Sequence, residues 1–150
     1  MEFGGSGITK ELYDLIRTMI PEGATVVEFG AGEVSTQILS KYYDLYSIEH
    51  DPRWLNKFNS TYIYAPLVHG WYNVEAVRRL LPKSYSLILL DGPPGEGNRN
   101  GILDNLDVIK WDVPLIVDDT WRKAELDLAN ELARRMGKQI KVYENFSVLV

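Results

Sequence analysis

Three aspartates, Asp91, Asp118 and Asp119, stand directly after apolar runs (Tyr85 to Leu90 and Pro114 to Val117). An acid at the end of such a run falls at the carboxyl edge of a sheet, where open α/β folds bind their ligands. Carboxylates that converge there repel one another unless they are protonated or bridged by a cation. An oxygen-only set suits Mg2+, Ca2+ or Mn2+. Such an ion would lower the pKa of a bound hydroxyl. Without a metal, Asp91 or His69 is the candidate general base, since a proton must leave any hydroxyl that is to act as a nucleophile. The catalytic candidates are therefore Asp91, Asp119 and His69, and the metal candidates Asp91, Asp118 and Asp119. The plainer alternatives are that Asp119 caps a helix starting near Trp121 and that Asp118 braces a loop.

A second group surrounds a glycine turn. Val26-Val27-Glu28-Phe29 reads as a buried strand that stops at Gly30-Ala31-Gly32 and runs into a helix at Ser35 and Thr36. Glycines there let the chain turn sharply and leave room for a ligand. The free N–H groups of the helix start would face that ligand. Glu49, ending the next strand, can accept from both hydroxyls of a ribose. Glu28, inside the apolar strand, needs hydrogen-bond donors to offset its burial. These would be either the turn's own N–H groups or a ligand. The spacing of Gly30, Gly32 and Ser35 fits both a dinucleotide and S-adenosylmethionine. An acid two residues before the first glycine, a closing hairpin and the lack of a second domain favour S-adenosylmethionine. The cofactor-binding candidates are Glu28, Gly30, Gly32, Ser35, Thr36, Glu49, His50, Trp71 and Asp91. For Trp71 and its neighbour Tyr72 the choice is between an aromatic pocket wall and plain core. Arg99 could hold an anionic substrate through its forked guanidinium, or tether its own loop through Glu96.

The elements that must position these groups alternate. Apolar spacing predicts helices over 8–20, 34–42, from Asp51 to about 59, 73–81, 101–110 and 121–136. Strands are expected over 25–29, 45–48, 62–68, 85–90 and 114–117, with a final antiparallel pair at 139–143 and 146–150 joined by Glu144-Asn145. Gly92-Pro93-Pro94-Gly95 can only be loop. The pattern is α/β: a doubly wound, mostly parallel seven-stranded sheet closed by an antiparallel hairpin, in a single domain over 1–150.

Composition narrows the class of partner. The chain has 150 residues, 45% apolar and 25% charged, with a net charge of −5 and no cysteine. Disulfides and thiolate zinc sites are excluded. The acidic balance gives no strong nucleic-acid signal, and Arg78, Arg79 and Lys83 read as a solvated helix end. No membrane span or signal peptide is expected, so the cytoplasm is the default location. Any cap over the site would come from residues 1–20, the loop 92–101 or another chain, which makes a homodimer an expectation.

The motifs together resemble those of class I S-adenosylmethionine-dependent methyltransferases. VVEFGAGEVST is similar to the family's first motif, E-x-G-x-G, with Glu33-Val34-Ser35 where many members carry a third glycine. SIEHD resembles the acidic second motif. LILLDGPPG resembles a fourth-strand motif of a subset that includes small bacterial and archaeal enzymes and plant xylan-uronic-acid O-methyltransferases. That subset also tends to show a Trp-Tyr pair, a following Arg, and Asp-Asp followed by Arg and Glu. Here these are Trp71-Tyr72, Arg99, Asp118-Asp119, Arg122 and Glu125. The acid spacing is also similar to that of metal-dependent O-methyltransferases acting on catechols and sugars. The resemblance implies O-methylation of a small polar hydroxylated substrate, a sugar or sugar acid among them. Two other readings stay open: a non-catalytic binding or scaffolding domain, and a small nicotinamide-dependent reductase.

Overall fold

A computed structural model describes residue 3, residues 7–95 and residues 97–150. Glu96, the proposed tether for Arg99, lies outside the described residues. The central sheet is built from Thr25–Phe29 (β1), Asp44–Glu49 (β2), Thr61–Tyr64 (β3), Leu87–Leu90 (β6), Leu115–Asp118 (β7), Ile140–Val142 (β8) and Phe146–Leu149 (β9). Leu67–Val68 (β4) and Trp71–Tyr72 (β5) form a separate two-stranded hairpin. The large sheet runs β3-β2-β1-β6-β7-β9-β8, and only β9 runs antiparallel to the other six strands. The expected doubly wound sheet with its closing hairpin is what the chain forms. The strand order reverses between β1 and β6, so Gly30 and Asp91, one residue beyond each, share the switch point.

Alternate residues of each strand face opposite cores, the period-2 rule of pleated strands. Val26, Leu87, Leu89 and Ile116 pack under helices Lys10–Met19 (α1) and Val34–Leu39 (α2). Val27, Ile88, Leu90 and Val117 pack under helices Val74–Leu80 (α3) and Lys123–Met136 (α4). Being covered on both faces explains the unbroken apolar run in β6. Thr9 caps α1, accepting from the Leu12 N–H at 3.2 Å, and Gly137, in the left-handed region at φ 64°, closes α4. No described helix is long and apolar enough to cross a membrane.

Three expected elements come out differently, each for a local reason. The helix expected from Asp51 is one 3₁₀ turn, Pro52–Trp54. Asp51 does cap it, but Leu55 turns extended and Asn56 takes φ 60°. The helix expected over 101–110 is two 3₁₀ segments, Arg99–Asp104 and Leu106–Val108. Asn105 separates them, its side chain donating to the Gly101 carbonyl at 2.8 Å, the competition with backbone that makes Asn a poor helix interior. The strand expected over 62–68 stops at Tyr64. Beyond Pro66 the chain folds into β4–β5 around His69 (φ 53°) and Gly70 (φ 84°), the paired positive φ values of a tight primed hairpin turn.

Candidate functional site

Glu28 is fully buried at the middle of the sheet. Its carboxylate accepts from Ser35 Oγ at 3.0 Å, Thr36 Oγ1 at 2.5 Å and Ser47 Oγ at 2.6 Å. Thr36 Oγ1 in turn accepts from the Gly32 N–H at 2.9 Å. Glu28 therefore ties the start of α2 to β2 and holds the glycine turn from below. It does not line the cleft above, and neither does Thr36. Burial pushes the Glu28 carboxyl up to about 7, against the three hydroxyl donors, which pull it down.

The two glycines of the turn do different work. Gly30 sits at φ 98°, and a Cβ there would come within 2.7 Å of the Asp91 carbonyl oxygen. It lets the ends of β1 and β6 touch. A Cβ on Gly32 would meet only Ser35 Oγ, at 3.4 Å. The space in front of Gly32 is open and forms the floor of a cleft of about 550 Å³, within the usual ~300–1,000 Å³ of small-molecule sites. The turn's N–H groups are not all free for a guest: Ala31 N–H donates to Glu49 Oε1 at 3.0 Å and Gly32 N–H to Thr36.

Glu49 faces the same cleft. Its Oε2 also accepts from the Asp51 N–H at 2.7 Å and lies 3.1 Å from His50 Nδ1. The carboxylate is thus fixed by two backbone donors on opposite sides. Ser35 and His50 line the cleft with it, as does Trp54. The short turn carrying Trp54 gave no sequence signal beyond an aromatic placed soon after the strand-end acid. Gly7 also reaches this cleft, its Cα seated against Val34.

Across the switch point stand the three aspartates. One carboxylate oxygen of each of Asp91, Asp118 and Asp119 lies within 4.8 Å of the other two. Arg99 Nη2 is 3.0 Å from Asp119 Oδ2 and 3.6 Å from Asp91 Oδ1, while Nη1 donates to the Asp118 carbonyl at 3.1 Å. Burial, and after it the Asp118 charge, push Asp91 well above the ordinary carboxylate range, with Arg99 opposing. Burial and the neighbouring Asp119 raise Asp118 to about 6, while a hydrogen bond from Asp91 lowers it. Asp119 does not cap α4. It sits at φ 64°, its carbonyl accepts from Arg122 N–H at 3.0 Å, and α4 begins at Lys123 without a side-chain cap. The oxygen-only donor set fits a hard divalent cation. Arg99 is the cation already placed between two of its members.

Other sequence candidates fall elsewhere. His69 is exposed at the tip of the β4–β5 hairpin and lines neither this cleft nor the cavity beside it. Trp71 is buried, stacked on Phe29 with centroids 5.7 Å apart and pressed against Gly101. It supports the site from beneath and gives it no wall. Arg99, expected to fork onto a substrate carboxylate or to tether its loop, turns both ends of its guanidinium to Asp118 and Asp119 instead. Arg122, which lines the cleft, has carboxylates only at 3.5 Å (Glu125) and 3.8 Å (Asp119).

Neither a protein-family profile nor a curated protein sequence matches this chain. Solved structures do. A TehB-like SAM-dependent methyltransferase from Corynebacterium glutamicum superposes with TM-score 0.58 at 18% identity, over 91% of this chain and 83% of that one. The precorrin-6y C5,15-methyltransferase of Geobacter metallireducens gives 0.63 at 15%, over 94% and 87%. The chain has the Rossmann-like methyltransferase fold. MycE, a methyltransferase of the mycinamycin biosynthetic pathway solved with Mg and SAH, gives 0.62 at 12% identity over 93% of this chain. The match covers 44% of MycE's own length.

Proposed function

We propose that this chain is an S-adenosylmethionine-dependent methyltransferase that O-methylates a small polar hydroxylated molecule, such as a sugar or sugar acid. The observation that carries the reading is the open floor at Gly32, flanked by the fixed Glu49 carboxylate and facing Asp91 across Gly30. This is a seat for a ribose-bearing ligand beside an acid cluster. The cofactor, when bound, supplies an electrophilic methyl carbon.

The residues divide the remaining work. Glu49 accepts from ribose hydroxyls, while Ser35, His50 and Trp54 close the sides of the cleft. Methyl transfer forms an O–C bond as the C–S bond breaks, and the hydroxyl proton goes to a carboxylate of the cluster, Asp91 or Asp119. Arg99 holds that cluster at fixed geometry, which is what positioning catalysis requires. A divalent cation held by Asp91, Asp118 and Asp119 would lower the pKa of the acceptor hydroxyl.

Calorimetry with S-adenosylhomocysteine tests the reading. The wild type binds, and Gly32→Val and Glu49→Gln each weaken binding about tenfold or more, the scale of a lost charged hydrogen bond. A well-folded wild-type protein that shows no heat of binding would overturn it. Turnover that survives a chelator unchanged would remove the metal and leave the rest standing.

A further inference from the structure

Beside the large cleft lies a second cavity of about 250 Å³, between loop residues 93–95 and 97–100 and the first turns of α4. Arg99, Arg122, Pro94 and Gly95 line both spaces, so the two meet at the acid cluster. Pro93, Pro94 and Leu128 contribute apolar surface to its lining. The rest is mostly polar. Glu125 belongs to that part, and Oε2 of this acid is buried with no hydrogen-bond partner among the described residues. A buried carboxylate oxygen with nothing to accept from is costly, and native proteins rarely leave one so. The half-exposed Arg122 guanidinium lies 3.5 Å from Glu125 Oε1 and 3.8 Å from Asp119 Oδ2, over the Trp121 ring.

Resting on the methyltransferase reading above, we propose that this cavity seats the methyl acceptor. Glu125 Oε2 accepts a hydroxyl of a single-ring polyol, and Arg122 donates across the junction with the cleft. The chemistry selects this class. Apolar lining from Pro93, Pro94 and Leu128 suits the C–H faces of a saturated ring, while the acceptors and donors beside it suit its hydroxyls. The volume lies just under the usual small-molecule range and matches a guest of one ring. In the metal-free cluster the formal charges around the junction, Asp91, Asp118, Asp119 and Glu125 against Arg99 and Arg122, leave an excess of acid. That excess disfavours an anionic guest, so a neutral polyol is preferred over a sugar acid. Glu125 is a specificity residue: it holds a part of the acceptor away from the reacting oxygen.

The test uses the whole chain saturated with S-adenosylhomocysteine and titrated with myo-inositol, glucose and glucuronate while amide chemical shifts are followed. The expected result is that a neutral polyol shifts amides of the loop 93–100 and of α4, and binds more tightly than glucuronate. Glu125→Gln weakens the polyol about tenfold or more, the scale of one charged hydrogen bond. Ala124→Leu, which fills the cavity from the exposed side, abolishes polyol binding. Both variants keep S-adenosylhomocysteine affinity within twofold. If S-adenosylhomocysteine binds but neither polyol does up to tens of millimolar, or if glucuronate wins, the acceptor assignment is overturned while the methyltransferase reading stands. If S-adenosylhomocysteine itself fails to bind, the methyltransferase reading falls first.

Discussion

Replacing Glu28 by glutamine separates the burial of its charge from its hydrogen bonding. In the folded chain the carboxyl is raised from its usual 4.5 to about 7, chiefly by burial. It therefore holds its proton more tightly folded than unfolded. Below pH 4.5 both states carry the proton, and its stabilising contribution is fully present. As pH rises towards 7 the unfolded state releases the proton first, and that contribution is lost; above about 7 nothing further changes. At about 1.4 kcal/mol per pKa unit, the loss across the window is about 3 kcal/mol, a large share of the ~5–15 kcal/mol that holds a domain folded. Glutamine fills the same space and does not titrate. The stability of the wild type minus that of Glu28→Gln should fall by about 3 kcal/mol between pH 4.5 and 7. Asp118, raised to about 6 by burial, and Asp91, also raised by burial, are present in both proteins and largely cancel in the difference. Urea unfolding at half-unit pH steps measures it. A difference that stays flat or grows with pH would refute the reasoning. It would show that the donors Ser35, Thr36 and Ser47 outweigh burial and that the acid folds as a stable anion.

Two further substitutions probe the layer around the site. Arg99→Gln removes the cation that reaches Asp119 and Asp91, and should cost about 3 kcal/mol in urea unfolding, the scale of breaking a buried ion pair; an unchanged midpoint would mean the acids need no partner. Tyr72 is buried and its Oη has no hydrogen-bond partner among the described residues, so Tyr72→Phe should be neutral or stabilising by up to about 1 kcal/mol. A loss above 1 kcal/mol would reveal a partner for that hydroxyl.

Long-range order was legible in the sequence because strands buried on both faces write themselves as apolar runs. Tyr85 to Leu90 is the clearest, and it forms the centre of the sheet. The acids that end those runs were also legible, since a strand end is a position that sequence can mark. What was hidden depended on side chains competing with backbone. Asn105 breaks a helix that Ile102, Leu103 and Leu106 spell correctly. His69 looked like a base after a strand, but the strand had already ended at Tyr64 and the histidine serves a turn. Arg99 was legible as a loop residue over the site, but its contacts with the Asp118 carbonyl and Asp119 were not, because these come from a strand end distant in sequence. Glu125 was visible only as a letter in a pattern. Its unpartnered oxygen became apparent once α4 and the loop 93–100 were set side by side.

The contact between Gly30 and Asp91-Gly92 has a bearing on how this scaffold can diversify. A Cβ on Gly92 would strike Tyr72 Oη at 2.3 Å and Gly30 Cα at 3.1 Å, and one on Gly30 would strike the Asp91 carbonyl. The spacing between the cleft floor at Gly32 and the acid cluster is therefore set largely by main chain against main chain, beyond the reach of side-chain rotamers. If the proposed reading holds, exchanging the opening turn of α4 together with loop residues 97–100 should alter acceptor choice while leaving S-adenosylhomocysteine binding intact.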